Sequence, residues 1–399
     1  MKIELTEPCR QPAGIAFFEN GFRPFFLGAG IWASVSMALW IAIWTGHFEL
    51  PGGMDPVSWH AHEFLFGYAG AVIAGFLLTA VPNWTGRLPT TGWPLAGLFA
   101  VWIAGRIAIL LVQGEWPVAT AIVDVAFPVL LGILMAREIL ASGNRKNLPV
   151  LAIFAIMTVG NILFHVELNG NGFAAGGPGG RIAVSAVIML IALIGGRVVP
   201  SFTRNWLARR DPTHLPAPVG RFDAAALLIL AAALAAWSAF PEAIVTGILL
   251  FLAGFVNLGR LARWQGMRTG AEPLVWILHA GYVFVPLGAI AAGCSVLFPD
   301  IAQFASPLHL WLAGAIGLMT LAVMTRASLG HTGRELHAGA ATTAIYLLVI
   351  GSVLTRFMAG FLPAAAGDLL AISAMLWIGG FGCFVLTYGP MLCRRRQRA

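Results

Sequence analysis

Twelve predominantly apolar runs, each long enough to cross the roughly 30 Å hydrocarbon core of a bilayer as a helix, dominate this chain and leave little room for any other architecture. A window of about 20 residues places them at 25–45, 58–81, 93–112, 116–138, 148–168, 181–201, 222–240, 242–260, 273–297, 307–327, 338–360 and 365–391, separated by short loops rich in Gly, Pro and charge. The runs are continuously apolar, so the period-two alternation of a transmembrane barrel is missing. With 59% hydrophobic and only 10% charged residues, against roughly 25% charged in a soluble domain, a soluble enzyme is excluded. The expected fold is all-α: a polytopic transmembrane bundle of about twelve helices. Residues 1–399 form one integral membrane domain, with a short N-terminal segment at 1–24 and a basic tail at 392–399.

Charge location sets the expected topology, because loops rich in Lys and Arg resist translocation. Alternate loops collect Arg87, Arg145, Lys146, Arg204, Arg209, Arg210, Arg221, Arg260, Arg263, Arg268 and Arg334, together with Lys2, Arg10 and the tail residues Arg394, Arg395, Arg396 and Arg398. The opposite side has essentially only Arg181. An even span count with both termini cytoplasmic satisfies this bias. The net charge of +7 therefore reports membrane topology, and no nucleic-acid partner is implied. Cys9, Cys294, Cys383 and Cys393 form no CxxC pair, so neither a disulfide framework nor a thiolate zinc site is expected. Glu4, Glu7 and Glu19 make a poor signal peptide, so the first apolar run should remain as a helix.

Within this frame histidine is the informative residue. His47, His60, His62, His165 and His309 all fall at the arginine-poor face, five of nine histidines. His279 lies about 9 Å into its helix from the basic side; His331 and His337 flank the last basic loop, and His214 sits in another. Imidazole is the commonest metal ligand and suits iron and copper, and ionisable groups at membrane depth are costly enough to suggest function. In Trp59-His-Ala-His-Glu63 the two histidines stand about 200° apart on a regular helix and cannot share one metal. Glu63, three residues after His60, is placed to orient that ring. Gly67, Ala71 and Gly75 follow at intervals of four, a stripe that permits either close helix packing or clearance for a flat macrocycle. Matched depth around one tight turn pairs Arg106 with Asp124, and a similar turn pairs Arg356 with Asp368.

Several stretches together resemble the NnrS family: Gly21-Phe-Arg-Pro-Phe-Phe26, Trp59-His-Ala-His-Glu63 with Gly67-Tyr68, Gly75 through Arg87, Gly195-Gly-Arg-Val-Val-Pro200 through Trp206, Leu278-His-Ala-Gly-Tyr282, and Leu308-His309 running on through Gly317 to Arg334. They cover most of the chain in order. The resemblance implies a bacterial inner-membrane, multi-pass protein that carries haem and copper and serves the nitric oxide response, often alongside denitrification. Its motif histidines fall here at His60, His62, His279, His309 and His331, and its charged motif residues at Arg23, Arg197 and Arg326. Nitric oxide or a related nitrogen oxide would be the small-molecule partner and the lipid bilayer the surroundings. Whether such a protein turns over, as a nitrogen-oxide oxidoreductase would, is left open by the resemblance. Two alternatives stand beside it. A divergent haem-copper oxidoreductase would also have about twelve helices, but the adjacent His-His pair and the His-Pro-Glu-Val-Tyr pattern are missing. A secondary transporter of a metal or small anion would favour an internal repeat, and none is convincing between 1–200 and 201–399. Sidedness separates His60, His62 and His309 from His279 and His331, which suggests two sites. For the topology, reporter fusions near Gly176 should read periplasmic and near Pro212 cytoplasmic; the same side for both would refute the span count.

Overall fold

A computed structural model describes residues 15–299 and 305–395. Lys2, Cys9, Arg10, Arg396 and Arg398 lie outside the described residues. Among those described, twelve helices are long and apolar enough to span a membrane: α1 (Phe22–Trp44), α2 (Pro56–Thr85), α3 (Trp93–Leu111), α4 (Pro117–Ala141), α5 (Arg145–Asn171), α6 (Pro178–Leu207), α7 (Arg221–Ala239), α8 (Ile244–Arg268), α9 (Pro273–Leu297), α10 (Pro307–His331), α11 (Ala340–Met358) and α12 (Pro363–Cys393). The all-α polytopic fold read from the sequence is the fold observed. The boundary shifts most at the basic end of α6, where the helix continues beyond the apolar run through Arg204 and Asn205 to Leu207.

The helices sort into two layers. In α2, α6, α9 and α10 between 61% and 72% of the apolar window is buried, against 28–39% in the other eight, so four helices form the interior and eight face lipid. Sequential neighbours pack against one another, and α1 closes on α12. Arg23, buried near the start of α1, secures that closure. Its Nη1 donates to the backbone carbonyls of Met391 (3.2 Å), Leu392 (2.9 Å) and Arg394, satisfying acceptors that the end of α12 would otherwise leave open.

Two of the inner helices share a plan. In α2 an α-helical turn ends on His62 and a π-helical stretch follows at Glu63–Tyr68; in α10 a turn ends on His309 and a π-helical stretch follows at Leu310–Leu318. Such wide turns interrupt the i→i+4 ladder and occur often at functional sites. A Tyr68–Thr320 hydroxyl contact of 2.6 Å ties the two helices together just past these stretches. The start of α2 is fixed in turn. Asp55 accepts from the Ser58 N–H at 2.7 Å, and Ser58 Oγ accepts from the Ala174 N–H at 2.9 Å, anchoring α2 to the turn between α5 and α6.

Candidate metal centre

Six ionisable or amide side chains from four helices converge in the arginine-poor half of the bundle, and each is placed by its helix. Asp124 lies seven residues after Pro117, so about 10 Å below the start of α4. Pro128, four residues later, has no N–H to offer the Asp124 carbonyl, which loosens α4 at that level. Asn161 and His165, spaced by four on α5, share the face that meets α4. Arg106 comes up from α3. Gly105 beside it would carry a Cβ only 3.1 Å from Asp124 Oδ1, so glycine is what lets the carboxylate approach. His62 and Glu63 come from the turn where α2 changes to π-helical geometry.

Asp124 is the hub, buried with its partners. Its Oδ1 accepts from Arg106 Nη2, the pairing that matched depth had indicated. Its Oδ2 accepts from Asn161 Nδ2 at 2.9 Å and lies 3.2 Å from His62 Nε2 and 3.1 Å from His165 Nε2. Glu63 forms the second pole. Oε1 accepts from Arg106 Nη1 at 2.6 Å and from His62 Nδ1 at 3.0 Å, while Oε2 accepts from the Trp32 indole at 2.7 Å. The expectation that Glu63 orients His60 is therefore corrected. The π-helical stretch opens at Glu63, and Arg106 draws the carboxylate toward α3, so it holds the ring of its immediate neighbour His62.

One ring nitrogen each of His62 and His165 and an Asp124 carboxylate oxygen lie within 4.8 Å of one another, close enough to hold one metal ion. Ligands about 2.1 Å from a common ion stand roughly 3.0 to 3.4 Å apart, and the observed 3.1 and 3.2 Å contacts match. With Nδ1–H of His62 donated to Glu63, the Nε2 lone pair is left facing a carboxylate oxygen that has no proton to give. A proton on Nε2 or a metal cation between them resolves that conflict, and the Glu63–His62 pair is the carboxylate–histidine arrangement that fixes a ligating ring. Charge counting agrees: Glu63 and Asp124 against Arg106 leaves one negative charge in a low-dielectric interior. Two imidazoles and one carboxylate suit copper and non-haem iron.

The other sequence-derived residues fall elsewhere. His60, two positions from His62, faces α1. Its ring stacks on Trp40 at 4.4 Å, its Nδ1 is buried without a hydrogen-bond partner, and Arg356 is within electrostatic reach. His279 lies 2.8 Å from Thr203 Oγ1 through Nε2. His309 stands at the junction with the π-helical stretch of α10, and the His331 ring lies 5.3 Å from that of Phe22. Arg197 donates to Asn147 at 3.1 Å, and Arg326 lies 3.9 Å from the Phe202 ring centre. None of these belongs to the converging set. Among the described residues no ion pair joins Arg356 to Asp368; Asp368 instead sits exposed in the first turn of α12, where the helix dipole favours an acid.

Of the two readings of the α2 stripe, close packing holds at Gly67 and Gly75, and a macrocycle has no clearance there. A Cβ at Gly67 would stand 2.6 Å from Arg106 Nη1 and 2.9 Å from both Glu63 Oε2 and Trp32 Nε1, and one at Gly75 would stand 2.7 Å from Phe26. The glycines admit the ion-pair cluster and the α1 aromatics. His165, Asn161 and Asp124 were absent from the sequence-derived ligand set, although their signals, the Asn-x-x-x-His and Asp-x-x-x-Pro spacings, were present in it.

A fold of twelve spanning helices around a buried His, Asp, Glu and Arg cluster defines a polytopic membrane protein with a candidate metal centre. The family model described as NnrS protein matches residues 16–396, nearly the whole chain, and the chain belongs to the NnrS family. No functionally curated protein matches it.

The cluster makes a specific energetic demand. Arg106→Leu strands two buried carboxylates and should cost roughly 3 to 5 kcal/mol. Adding Asp124→Leu should recover only part of that loss, because Glu63 and His62 stay behind. Folded yield and thermal unfolding in detergent measure both; strictly additive losses would show that Arg106 and Asp124 are not coupled.

Proposed function

We propose that this protein is a metal-holding membrane protein of the nitric oxide response, in which His62, His165 and Asp124 bind copper and the centre takes up nitric oxide or a related nitrogen oxide. The observation that carries this reading is the convergence of two imidazole nitrogens and one carboxylate oxygen whose supporting contacts are already in place. Copper is the metal that the family resemblance implies, and it would supply a redox-active site for a nitrogen oxide.

The chain's own residues have distinct tasks in this reading. Glu63 holds the Nδ1 proton of His62 and so keeps Nε2 as a lone-pair donor. Arg106 occupies Asp124 Oδ1 and Glu63 Oε1 together, which leaves Oδ2 as the carboxylate oxygen for the ion. Asn161 steadies Oδ2 through Nδ2. Burial of the whole set lowers the local dielectric and strengthens each of these contacts. Haem, also implied by the family, finds no room at the Gly67 and Gly75 positions of α2; His60 and His279 each keep a buried Nδ1 without a hydrogen-bond partner, and His60, in the arginine-poor half, would hold it.

In the same reading the chain is one integral domain of a bacterial inner membrane, with cytoplasmic termini, and acts in nitrosative stress or denitrification. Copper and haem content per purified protein tests the assignment. His62→Ala, His165→Ala and Asp124→Asn should each lose most of the copper, and His60→Ala should lose haem while keeping copper. His279→Ala, His309→Ala and His331→Ala should keep copper at the wild-type level. Wild-type copper in both His165→Ala and Asp124→Asn would overturn the proposed centre.

A further inference from the structure

A small cavity adjoins the cluster, and its position gives it a use. Its volume is about 10 Å³, and Asp124 and Asn161 line it together with Phe127, Pro128, Met157 and Thr158. That is about the room one water-sized molecule needs. The walls come from α4 and α5, two of the lipid-facing helices, with Phe66 and Gly70 of α2 behind them. Pro128 and Thr158 are half-buried and lie near the middle of their helices, so this gap opens toward the bilayer close to its midplane. Pro128 contributes to the gap by removing a backbone hydrogen bond at the level of Asp124. Asn161, which lines the cavity, keeps a buried Oδ1 without a hydrogen-bond partner.

We infer that the gap between α4 and α5 is a lipid-side portal through which a small uncharged gas of the size of nitric oxide reaches the Asp124 face of the metal centre. This rests on the reading of that centre as a copper site for nitrogen oxides and adds its route and substrate class. The chemistry selects the occupant. An anion such as nitrite would have to leave water, cross acyl chains and pass Phe127 and Met157, at a desolvation cost that apolar walls do not repay. A neutral diatomic molecule meets no such cost, and dissolved in lipid it is already at the depth of Pro128 and Thr158. Uptake of the neutral gas from the bilayer, with charged nitrogen oxides excluded from this path, follows.

Two measurements in lipid nanodiscs test the portal, the first of them without metal. With methionine methyl groups labelled, dissolved oxygen, an uncharged paramagnetic gas, should broaden the Met157 signal of the metal-free protein more than that of Met135. Met135 is equally buried on α4 but does not line the cavity. Thr158→Trp, at a half-buried rim position, should abolish that difference, and the smaller Thr158→Phe should reduce it. In the copper-loaded protein, Thr158→Trp should slow nitric oxide association about tenfold or more with copper content unchanged. Equal broadening of Met157 and Met135 in the wild type, or an unaltered association rate in Thr158→Trp, would overturn the portal and leave the centre standing. Failure of copper-loaded wild type to bind nitric oxide would remove the reading of the centre and the portal together.

Discussion

The structure depends on the position of one guanidinium. Arg106 bridges Glu63 and Asp124, two carboxylates buried inside the bundle. Without it, two negative charges from α2 and α4 would face each other at low dielectric, at a cost that the membrane interior makes severe. With it, α2, α3 and α4 are drawn together, Gly67 and Gly105 are required as points of close approach, and Asp124 is left with one oxygen turned toward His62 and His165. With both imidazoles neutral the arrangement carries one net negative charge, which a proton on His62 or a cation beside Asp124 would balance.

The π-helical stretch of α2 serves the same end. A regular helix would place His62 and Glu63 about 100° apart with unrelated tasks. Where the ladder widens after His62, the two side chains meet, and Glu63 turns away from His60. His60 is released to a different neighbourhood against Trp40. The pair of histidines in the Trp-His-Ala-His-Glu motif therefore belongs to two environments, as helical geometry requires, but the division of labour between them depends on a backbone irregularity.

The large features of the fold were legible in the sequence because they follow from solvent. Twelve apolar runs must become helices in lipid, since every backbone polar group there needs an internal partner. The Arg106 and Asp124 pairing was legible for a related reason: buried opposite charges at equal depth on antiparallel neighbours have few alternatives. The ligand set was less legible. His62 stood out through its motif, but His165 looked like any interfacial histidine, and only the packing of α5 on α4 brings it to Asp124. Glu63 was assigned by helical spacing that the π-helical stretch overrides, and the glycine stripe carried no sign of whether a cofactor or an arginine would fill it. Arg356 and Asp368 show the limit of depth matching near a surface, where an exposed acid is satisfied by water and a helix dipole.

X-ray absorption at the copper edge of the loaded protein tests the central claim most directly. The account requires a first shell of two imidazole nitrogens and one carboxylate oxygen at about 2.0 to 2.1 Å, with one imidazole lost in His165→Ala. A sulfur-dominated shell, or a spectrum that His165→Ala leaves unchanged, would contradict it.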